Sequence, residues 1–173
     1  MIELIKRTKN EMEVNTMSPL TWAYIGDSVY EVYVRMHLVN NTNMKPHKLH
    51  VEATKFVKAK AQAETLKRIE NNLTEKEKEI VKRGRNAENH HLPKNATVQE
   101  YMYSTGFEAL IGYLYLTKQD ERLREILEIC ETRKCILNFF PVFYHKKVNW
   151  KRKILLEKIE NLLKTLDKSR KIV

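Results

Sequence analysis

Hydrophobic residues recur along this chain mostly at intervals of three and four, the period of an amphipathic α-helix, and alternating runs typical of β-strands are few. The pattern predicts a short N-terminal helix and longer helices at 19–39, 47–71, 74–84, 97–116 and 120–137. A last amphipathic helix is predicted from about residue 150, and residues 84–96 form the longest predicted loop. The sequence therefore predicts an all-α fold.

Local signals support several of these helix ends. Ser18 can cap the second helix, and Pro19 suits the first turn. Thr74 followed three residues later by Glu77 resembles a capping box, and Gly84 is typical of a helix end. The charged run 75–79 predicts a solvated face.

The helices at 19–39 and 97–116 are apolar almost all round, which predicts that both lie at the centre of the core. Each of them carries a carboxylate, Asp27 in the first and Glu108 in the second. Burying a lone carboxylate is costly unless something compensates its charge. A cation shared by the two acids would do so, and the glycines Gly26, Gly106 and Gly112 would let the helices approach closely enough.

Two interpretations of these acids are open on spacing alone. In one, Asp27 and Glu108 pair with lysines or arginines inside the bundle. In the other, they hold a hard cation, Mg²⁺ or Mn²⁺, because oxygen ligands without His or Cys select such ions. Such an ion can stabilise charge on a phosphodiester and activate a bound water, so the second interpretation favours a nuclease.

Charge favours a nucleic acid as the partner. The chain has 173 residues and a net charge of +10, and residues 141–173 hold ten Lys or Arg against three acids.

No apolar run predicts a membrane span or a signal peptide, so we expect a cytoplasmic protein with no membrane partner. Cys130 and Cys135 are five residues apart, which fits neither a disulfide nor a zinc site, and we expect both to be reduced and structural.

The segments around the two acids resemble the signature helices of the ribonuclease III family. These segments read Gly-Asp-Ser-Val at 26–29 and Phe-Glu-Ala-Leu-Ile-Gly at 107–112. Finer similarity points to the compact Mini-ribonuclease III branch, which has the catalytic domain without the usual double-stranded RNA-binding domain. The segments that carry this similarity are 17–20, 23–31, 57–63, 83–87, 93–96 and 103–112. The resemblance covers about residues 10 to 137.

The resemblance implies that Asp27 and Glu108 are the essential metal-binding carboxylates, with Mg²⁺ as cofactor and Mn²⁺ as a possible substitute. Larger family members carry two further acids at the positions of Ala23 and Thr105, so one metal ion per site and two are both open. Glu31, one helical turn after Asp27, is a candidate third ligand. A role on the helix face or at a dimer interface is the alternative for it.

The predicted loop and its flanks supply candidate RNA contacts. Lysine and arginine can neutralise phosphates, and asparagine can reach sugar hydroxyls. The candidates are Arg83, Arg85, Asn86, Lys94 and Asn95. An ordinary solvated loop is the alternative.

We expect a catalytic domain at 1–138 and a basic helical extension at 139–173, which either adds nonspecific RNA affinity or packs on the body.

The sequence and the resemblance together predict a metal-dependent endoribonuclease that cuts double-stranded RNA. The resemblance implies a homodimer and precursors of the large ribosomal RNA as substrate. Candidate interface residues are Trp22, Tyr30, Tyr33 and Met36, for which core packing is the alternative. The rival functions are a noncatalytic RNA-binding or ribosome-associated protein on the same fold, and a helical adaptor whose basic face meets an acidic protein.

Overall fold

The computed structural model describes residues 7, 9–87 and 97–131, and the regular elements among them are helices. The helices are α1 (Glu11–Thr16), α2 (Pro19–Asn41), α3 (Pro46–Val57), α4 (Ala59–Ile69), α5 (Glu75–Arg85), α6 (Val98–Leu116) and α7 (Asp120–Glu131), with a 3₁₀ turn at Glu70–Asn72. No strand occurs in this described part. The predicted all-α class is confirmed.

Three helices begin where side-chain capping predicts. The Ser18 hydroxyl accepts a hydrogen bond from the Leu20 N–H at 3.3 Å, and Pro19 follows in the first turn of α2. Thr74 and Glu77 form a reciprocal capping box at the start of α5. A second box, formed by Thr97 and Glu100, begins α6. These starts are fixed by local chemistry, which is why sequence signals locate them.

One predicted helix is two helices. The chain between residues 47 and 71 breaks at Lys58, whose backbone is extended at φ −67° and ψ 148°. Neither proline nor glycine marks the break. Helix α3 packs against α2, whereas α4 packs against α6, so the chain changes direction between two different neighbours. The break is therefore imposed by tertiary packing and not by local propensity.

Helix α6 is the centre of the bundle, with α2, α4 and α5 packed against it. Every residue from 104 to 114 is buried except Glu108, which stays partly exposed. The prediction that this helix is central is confirmed. Within this stretch of α6, Glu108 is the one residue that solvent can reach.

Helix α2 packs against α6 and is central as predicted, but it is buried on one face only, although its sequence is apolar almost all round. Its buried residues are Trp22, Ala23, Gly26, Tyr30, Val34 and Leu38. Three apolar residues on the other side, Val32, Met36 and Val39, are 62%, 50% and 55% exposed. Their spacing of four and three makes a continuous stripe along the helix.

Two of the residues considered for a dimer interface belong to the core. The Trp22 indole N–H donates to the Val14 carbonyl at 2.9 Å, and its ring packs edge-on against Tyr113. Tyr30 packs edge-on against Phe107 with ring centroids 4.9 Å apart. An interface role for Trp22 and Tyr30 is therefore wrong, and core packing holds them.

Glycines at the α5–α6 contact correct one further prediction. Helix α5 ends at Arg85, one residue after Gly84, so its predicted end near Gly84 is confirmed. A Cβ added at Gly84 would lie 2.6 Å from the Ala109 Cβ, and one added at Gly106 would lie 2.6 Å from the Arg85 Cγ. Gly84 and Gly106 therefore allow α5 to approach α6. Gly106 does not serve the approach of α2, as the sequence suggested.

The charged run in α5 is also less solvated than its sequence predicts. Glu77 is buried, and Arg122 of α7 grips both of its carboxylate oxygens at 2.8 and 2.9 Å. The expectation of a wholly solvated face at 75–79 is wrong at this residue. The cause is that α7, which the local pattern cannot reveal, supplies a matching cation.

Helices α1 to α6, and α7 as far as the buried Cys130, belong to one unit. None of these helices has the length and apolar character to cross a membrane. The end of the predicted helix at 132–137, the boundary at 138, Cys135 and the basic extension at 139–173 lie outside the described residues. Those predictions stay predictions.

Candidate active site

Two backbones touch where α2 crosses α6. A Cβ added at Gly26 would lie 1.8 Å from the Glu108 carbonyl oxygen, and one added at Gly112 would lie 1.9 Å from the Trp22 carbonyl oxygen. Only hydrogen fits at either position. The contact brings Asp27, the neighbour of Gly26, to the side of α6 that carries Glu108, as the sequence predicts for this pair of glycines.

Both acids have a raised pKa, mainly because each is partly withdrawn from water. Burial, assisted by the negative charge of Asp27, raises the pKa of Glu108 to about 8, against hydrogen bonding from Gln62. Burial also raises the pKa of Asp27, against hydrogen bonding from Gln62 and with a further contribution from the Glu31 charge. Near neutral pH the pair therefore holds its full negative charge only with outside compensation.

The alternative of internal ion pairs is not found in this part of the protein. Among residues 7, 9–87 and 97–131, ion pairs involve other acids, and neither Asp27 nor Glu108 pairs with lysine or arginine. Asp27 is only partly covered and Glu108 is half-buried, so both can be reached from solvent. A carboxylate pair that is reachable and lacks a cation partner is the arrangement that a metal ion completes.

Gln62 of α4 joins the two acids, and sequence reasoning assigned it no role. The side chain is fully buried, and its amide nitrogen lies 3.4 Å from Asp27 Oδ1. Its amide oxygen has no hydrogen-bond partner. A signal was available in the sequence: Gln62 falls on the same helical face as Leu66 and Ile69, where an apolar residue is expected.

Glu31 has a partner of its own. Its carboxylate accepts a hydrogen bond from the Arg35 guanidinium at 2.5 Å, one turn further along α2, and both side chains are well exposed. Within the described residues, His, Cys, Asp and Glu side chains do not gather in groups of three or more that could hold a metal ion. The structure therefore brings Asp27 and Glu108 together and leaves Glu31 beside them.

The residues present fit a magnesium ion. Mg²⁺ keeps several waters and uses one or two carboxylates, which matches a two-acid site open to solvent. The two positions where the resemblance places further acids are buried, with Ala23 in a small apolar cluster and the Thr105 hydroxyl donating to the Tyr101 carbonyl at 3.0 Å. The described residues thus offer two carboxylates as metal ligands, with the Gln62 amide beside them.

The candidate RNA residues of α5 face two different aromatic rings. The Arg83 guanidinium lies 4.4 Å from the Trp22 ring centroid and donates to the Asn15 carbonyl at 3.4 Å. The Arg85 guanidinium lies 3.9 Å from the ring centroid of Tyr103. Arg83 and Arg85 are therefore not gathered at one point.

Arg85 belongs to a cluster that the sequence did not reveal. Lys67 of α4 places its ammonium 5.0 Å from the same Tyr103 ring, so two cations meet one tyrosine. We call Lys67, Arg85 and Tyr103 the Arg85 cluster. Asn86 is exposed at the end of α5. Lys94 and Asn95 lie outside the described residues, and their role stays a prediction.

Comparison with known proteins gives three results. The family model described as Ribonuclease III domain matches residues 20–119. The chain is 53% identical over 116 residues to a Mini-ribonuclease 3 of Thermoanaerobacter sp. (strain X514), covering 67% of this chain and 82% of that protein. It is 49% identical over 121 residues to a Mini-ribonuclease 3 of Streptococcus pneumoniae, covering 69% of this chain and 94% of that protein.

A solved structure agrees with these sequence relationships. The crystal structure of a protein from Fusobacterium nucleatum matches this fold with a TM-score of 0.62 and 31% sequence identity, over 70% of this chain and 95% of that one. Asp27 and Glu108, and the helices that carry them, lie inside the residues matched by the family model.

Proposed function

Because this chain belongs to the ribonuclease III family, in its Mini-ribonuclease III branch, and is therefore a ribonuclease, we propose that it is a metal-dependent endonuclease of double-stranded RNA. The observation that carries the proposal is the pair Asp27 and Glu108, held together by touching backbones and without a basic partner in the described residues. A noncatalytic protein on this fold has no use for such a costly arrangement.

In the proposal, Asp27 and Glu108 hold Mg²⁺, or Mn²⁺ in its place. When bound, the ion would lower the pKa of a water and stabilise negative charge on the phosphodiester. The carboxylates supply the charge that attracts the ion, and Gly26 and Gly112 fix their separation through the main chain. Because a carboxylate must be ionised to bind, occupancy of the site depends on Glu108 losing its proton.

The Arg85 cluster is the proposed RNA contact closest to the acids along α6. Tyr103 precedes Glu108 by five residues, which is about 7.5 Å along a helix axis. Arginine and lysine there can neutralise phosphates, and A-form duplexes are recognised mainly through phosphates and 2′-hydroxyls. The proposed contact surface also includes Arg83 and Asn86 of α5 and, in the neighbouring segment, Lys94 and Asn95.

We propose a homodimer, supported by the exposed apolar stripe Val32, Met36 and Val39 on the same helix as Asp27. Val51 of α3 adds a further exposed apolar side chain, 43% accessible. Apolar side chains exposed at helical spacing are typical of a helix-packing interface. Met36→Lys should convert a dimer to a monomer in sedimentation, whereas Met12→Lys, at another exposed methionine, should not.

The proposed natural substrate is precursor ribosomal RNA in the cytoplasm, specifically the ends of the large-subunit RNA. Its support is the likeness to the Mini-ribonuclease III branch and the net charge of +10. The basic segment 139–173 would add affinity through counterion release, so a chain ending at residue 138 should show a smaller salt dependence of duplex binding.

The test of the proposal is cleavage of a defined RNA duplex and of its separated strands. We expect cuts in the duplex with Mg²⁺, none with chelator, and none by Asp27→Asn, which should still bind duplex. Binding without cutting by the parent protein, on this duplex and on precursor ribosomal RNA, would favour the noncatalytic RNA-binding protein. A protein that neither binds nor cuts would be the adaptor.

A further inference from the structure

Gln62 is a buried amide with half of its hydrogen-bonding capacity unused. The residue has no exposed surface, its nitrogen reaches Asp27 Oδ1 at 3.4 Å, and hydrogen bonding also links it to Glu108. Its oxygen, Oε1, has no partner. Because both atoms belong to one amide, the unpaired oxygen lies beside the carboxylate pair.

A structural role does not explain this side chain. Leaving a buried polar atom unpaired costs about 1–3 kcal/mol, and methionine or leucine would fill similar space without that cost. The other described buried residues of α4, Ala63, Thr65, Leu66 and Ile69, are apolar or, in the case of Thr65, hydrogen-bonded to Arg68 at 2.7 Å. What distinguishes Gln62 from them is that it faces the two acids.

We propose that Gln62 is a positioning residue of the metal site: its amide nitrogen holds Asp27 and Glu108 toward each other, and Oε1 accepts a hydrogen bond from a water bound to the metal ion. This inference rests on the proposed function and assigns a residue to it. Mg²⁺ keeps several of its waters, and such a water is the donor that Oε1 lacks. Groups that orient ligands in this way change metal affinity about 10–100-fold when they are replaced.

The arrangement gives Gln62 one task before the ion binds and another after. Without the ion, the amide N–H groups reduce the repulsion between the two carboxylates. With the ion, the same group orients one ligand through nitrogen and one hydration water through oxygen. A carboxylate at residue 62 could accept from the water but could not donate to both acids, whereas an amide does both.

The experiment measures Mn²⁺ binding to the RNA-free protein by electron paramagnetic resonance, and the rise in melting temperature that Mn²⁺ produces. The variants are Gln62→Met and Gln62→Leu, which remove the amide, with Thr65→Val as a control that removes a buried polar group elsewhere on α4. We expect about tenfold weaker Mn²⁺ binding in both Gln62 variants and a smaller Mn²⁺-dependent rise in melting temperature. Thr65→Val should bind Mn²⁺ with the parent's affinity and should show the same Mn²⁺-dependent rise in melting temperature as the parent.

The outcomes separate this inference from the proposed function. Parent-like Mn²⁺ binding by both Gln62 variants would overturn the role of Gln62 and leave the nuclease intact. Equal loss in the Gln62 variants and in Thr65→Val would reduce the effect to general destabilisation and would also overturn it. A parent protein that binds no Mn²⁺ and cuts no RNA would overturn the metal site itself.

A measurement on the parent protein needs no folded variant. In a ¹⁵N-labelled sample, the side-chain amide signals of Gln62 should move during Mg²⁺ titration, with the same midpoint as calorimetric binding. An amide that does not respond while the protein binds Mg²⁺ would contradict the proposal, because its partner atoms would then be the same with and without the ion.

Discussion

Glu77 and Glu108 are two glutamates that enter the same helical bundle and meet opposite surroundings. Arg122 holds both carboxylate oxygens of Glu77, and Thr74 completes a helix cap with it. Burial raises the pKa of Glu77, but these hydrogen bonds outweigh it, so the pKa lies below the ordinary value. Burial, together with the negative charge of the neighbouring Asp27, raises the pKa of Glu108 to about 8.

The difference shows how a structural acid can be told from a functional one. Glu77 stabilises the fold because its charge is already compensated within the chain. Glu108 carries a charge that the described chain does not compensate, and this deficit is what a cation can satisfy. Burial alone does not separate the two, since it acts to raise the pKa of both. What separates them is a basic partner, which Glu77 has in Arg122 and which Glu108 lacks among the described residues.

The largest expected effect is on catalysis. Glu108→Gln should lower duplex cleavage in Mg²⁺ on the order of a thousandfold or more, because a metal ion supplies several kcal/mol of transition-state stabilisation. Glu77→Gln, the matched change at a buried glutamate paired with arginine, should cleave within a few-fold of the parent protein at a temperature where both are folded. Equal losses in the two variants would abolish the distinction between them.

Stability should change in the opposite order. Glu77→Gln removes a charged acceptor from Arg122 and weakens the cap of α5, which should lower the free energy of unfolding by about 2 kcal/mol. Metal-free Glu108→Gln at pH 8 should be as stable as the parent or more stable, because the amide carries no charge to bury. Urea unfolding checks both. A Glu108→Gln protein less stable than Glu77→Gln would reverse the assignment.

The stability of the metal-free parent should depend on pH through Glu108. Its pKa is about 8 in the folded protein against an ordinary value of 4.5, so the unfolded chain releases this proton at lower pH. The contribution of Glu108 to the stability of the fold is therefore fully present below about pH 4.5 and is lost as the pH rises to about 8. In chelator at pH 8, the melting temperature of Glu108→Gln should be a few degrees above that of the parent. At pH 5 the two melting temperatures should be the same.

Two controls sharpen that measurement. Glu77 has the opposite shift, so its contribution is present above its ordinary pKa and is lost as pH falls through its lowered one. Glu77→Gln should therefore melt below the parent at both pH 5 and pH 8. Saturating Mg²⁺ should remove the loss of stability at pH 8 in the parent, because the ion binds the ionised form. A parent insensitive to both pH and Mg²⁺ would contradict the raised pKa.

The smallest expected effect concerns Glu31. Its exposed pair with Arg35 is of the i, i+4 kind, which is worth about 0.3–0.5 kcal/mol. Glu31→Gln should change the free energy of unfolding by no more than that and should leave cleavage within about threefold, since Asp27 loses only a repelling neighbour. A loss as large as that of Glu108→Gln, measured in the same assay, would make Glu31 a ligand.

What the sequence predicts well is local. Ser18 and Thr74 act on backbone groups within three residues, so their helix starts can be read directly. The approach of α2 to α6 was also predictable, because Gly26 and Gly112 leave room that no other residue leaves. The all-α class follows from the helical spacing of the hydrophobic residues, and the proximity of Asp27 and Glu108 follows from the two glycines.

What the sequence did not predict depends on partners distant in the chain. The break at Lys58 comes from α3 and α4 packing on different helices. The burial of Glu77 depends on Arg122, forty-five residues away, and the role of Gln62 depends on acids of two other helices. Gly106 looks like part of the α2 crossing in sequence, but α5 occupies that space.

At the crossing of α2 and α6, even the smallest side chain, one methyl group, would meet the opposite main chain at under 2 Å. Main-chain atoms cannot rotate away as side chains do, so no gradual series of substitutions widens the gap. An evolving lineage, or a library in the laboratory, can alter the Arg85 cluster or the apolar stripe one residue at a time. The separation of the two carboxylates should therefore be inherited unchanged while the surfaces that choose an RNA or a partner diversify around it.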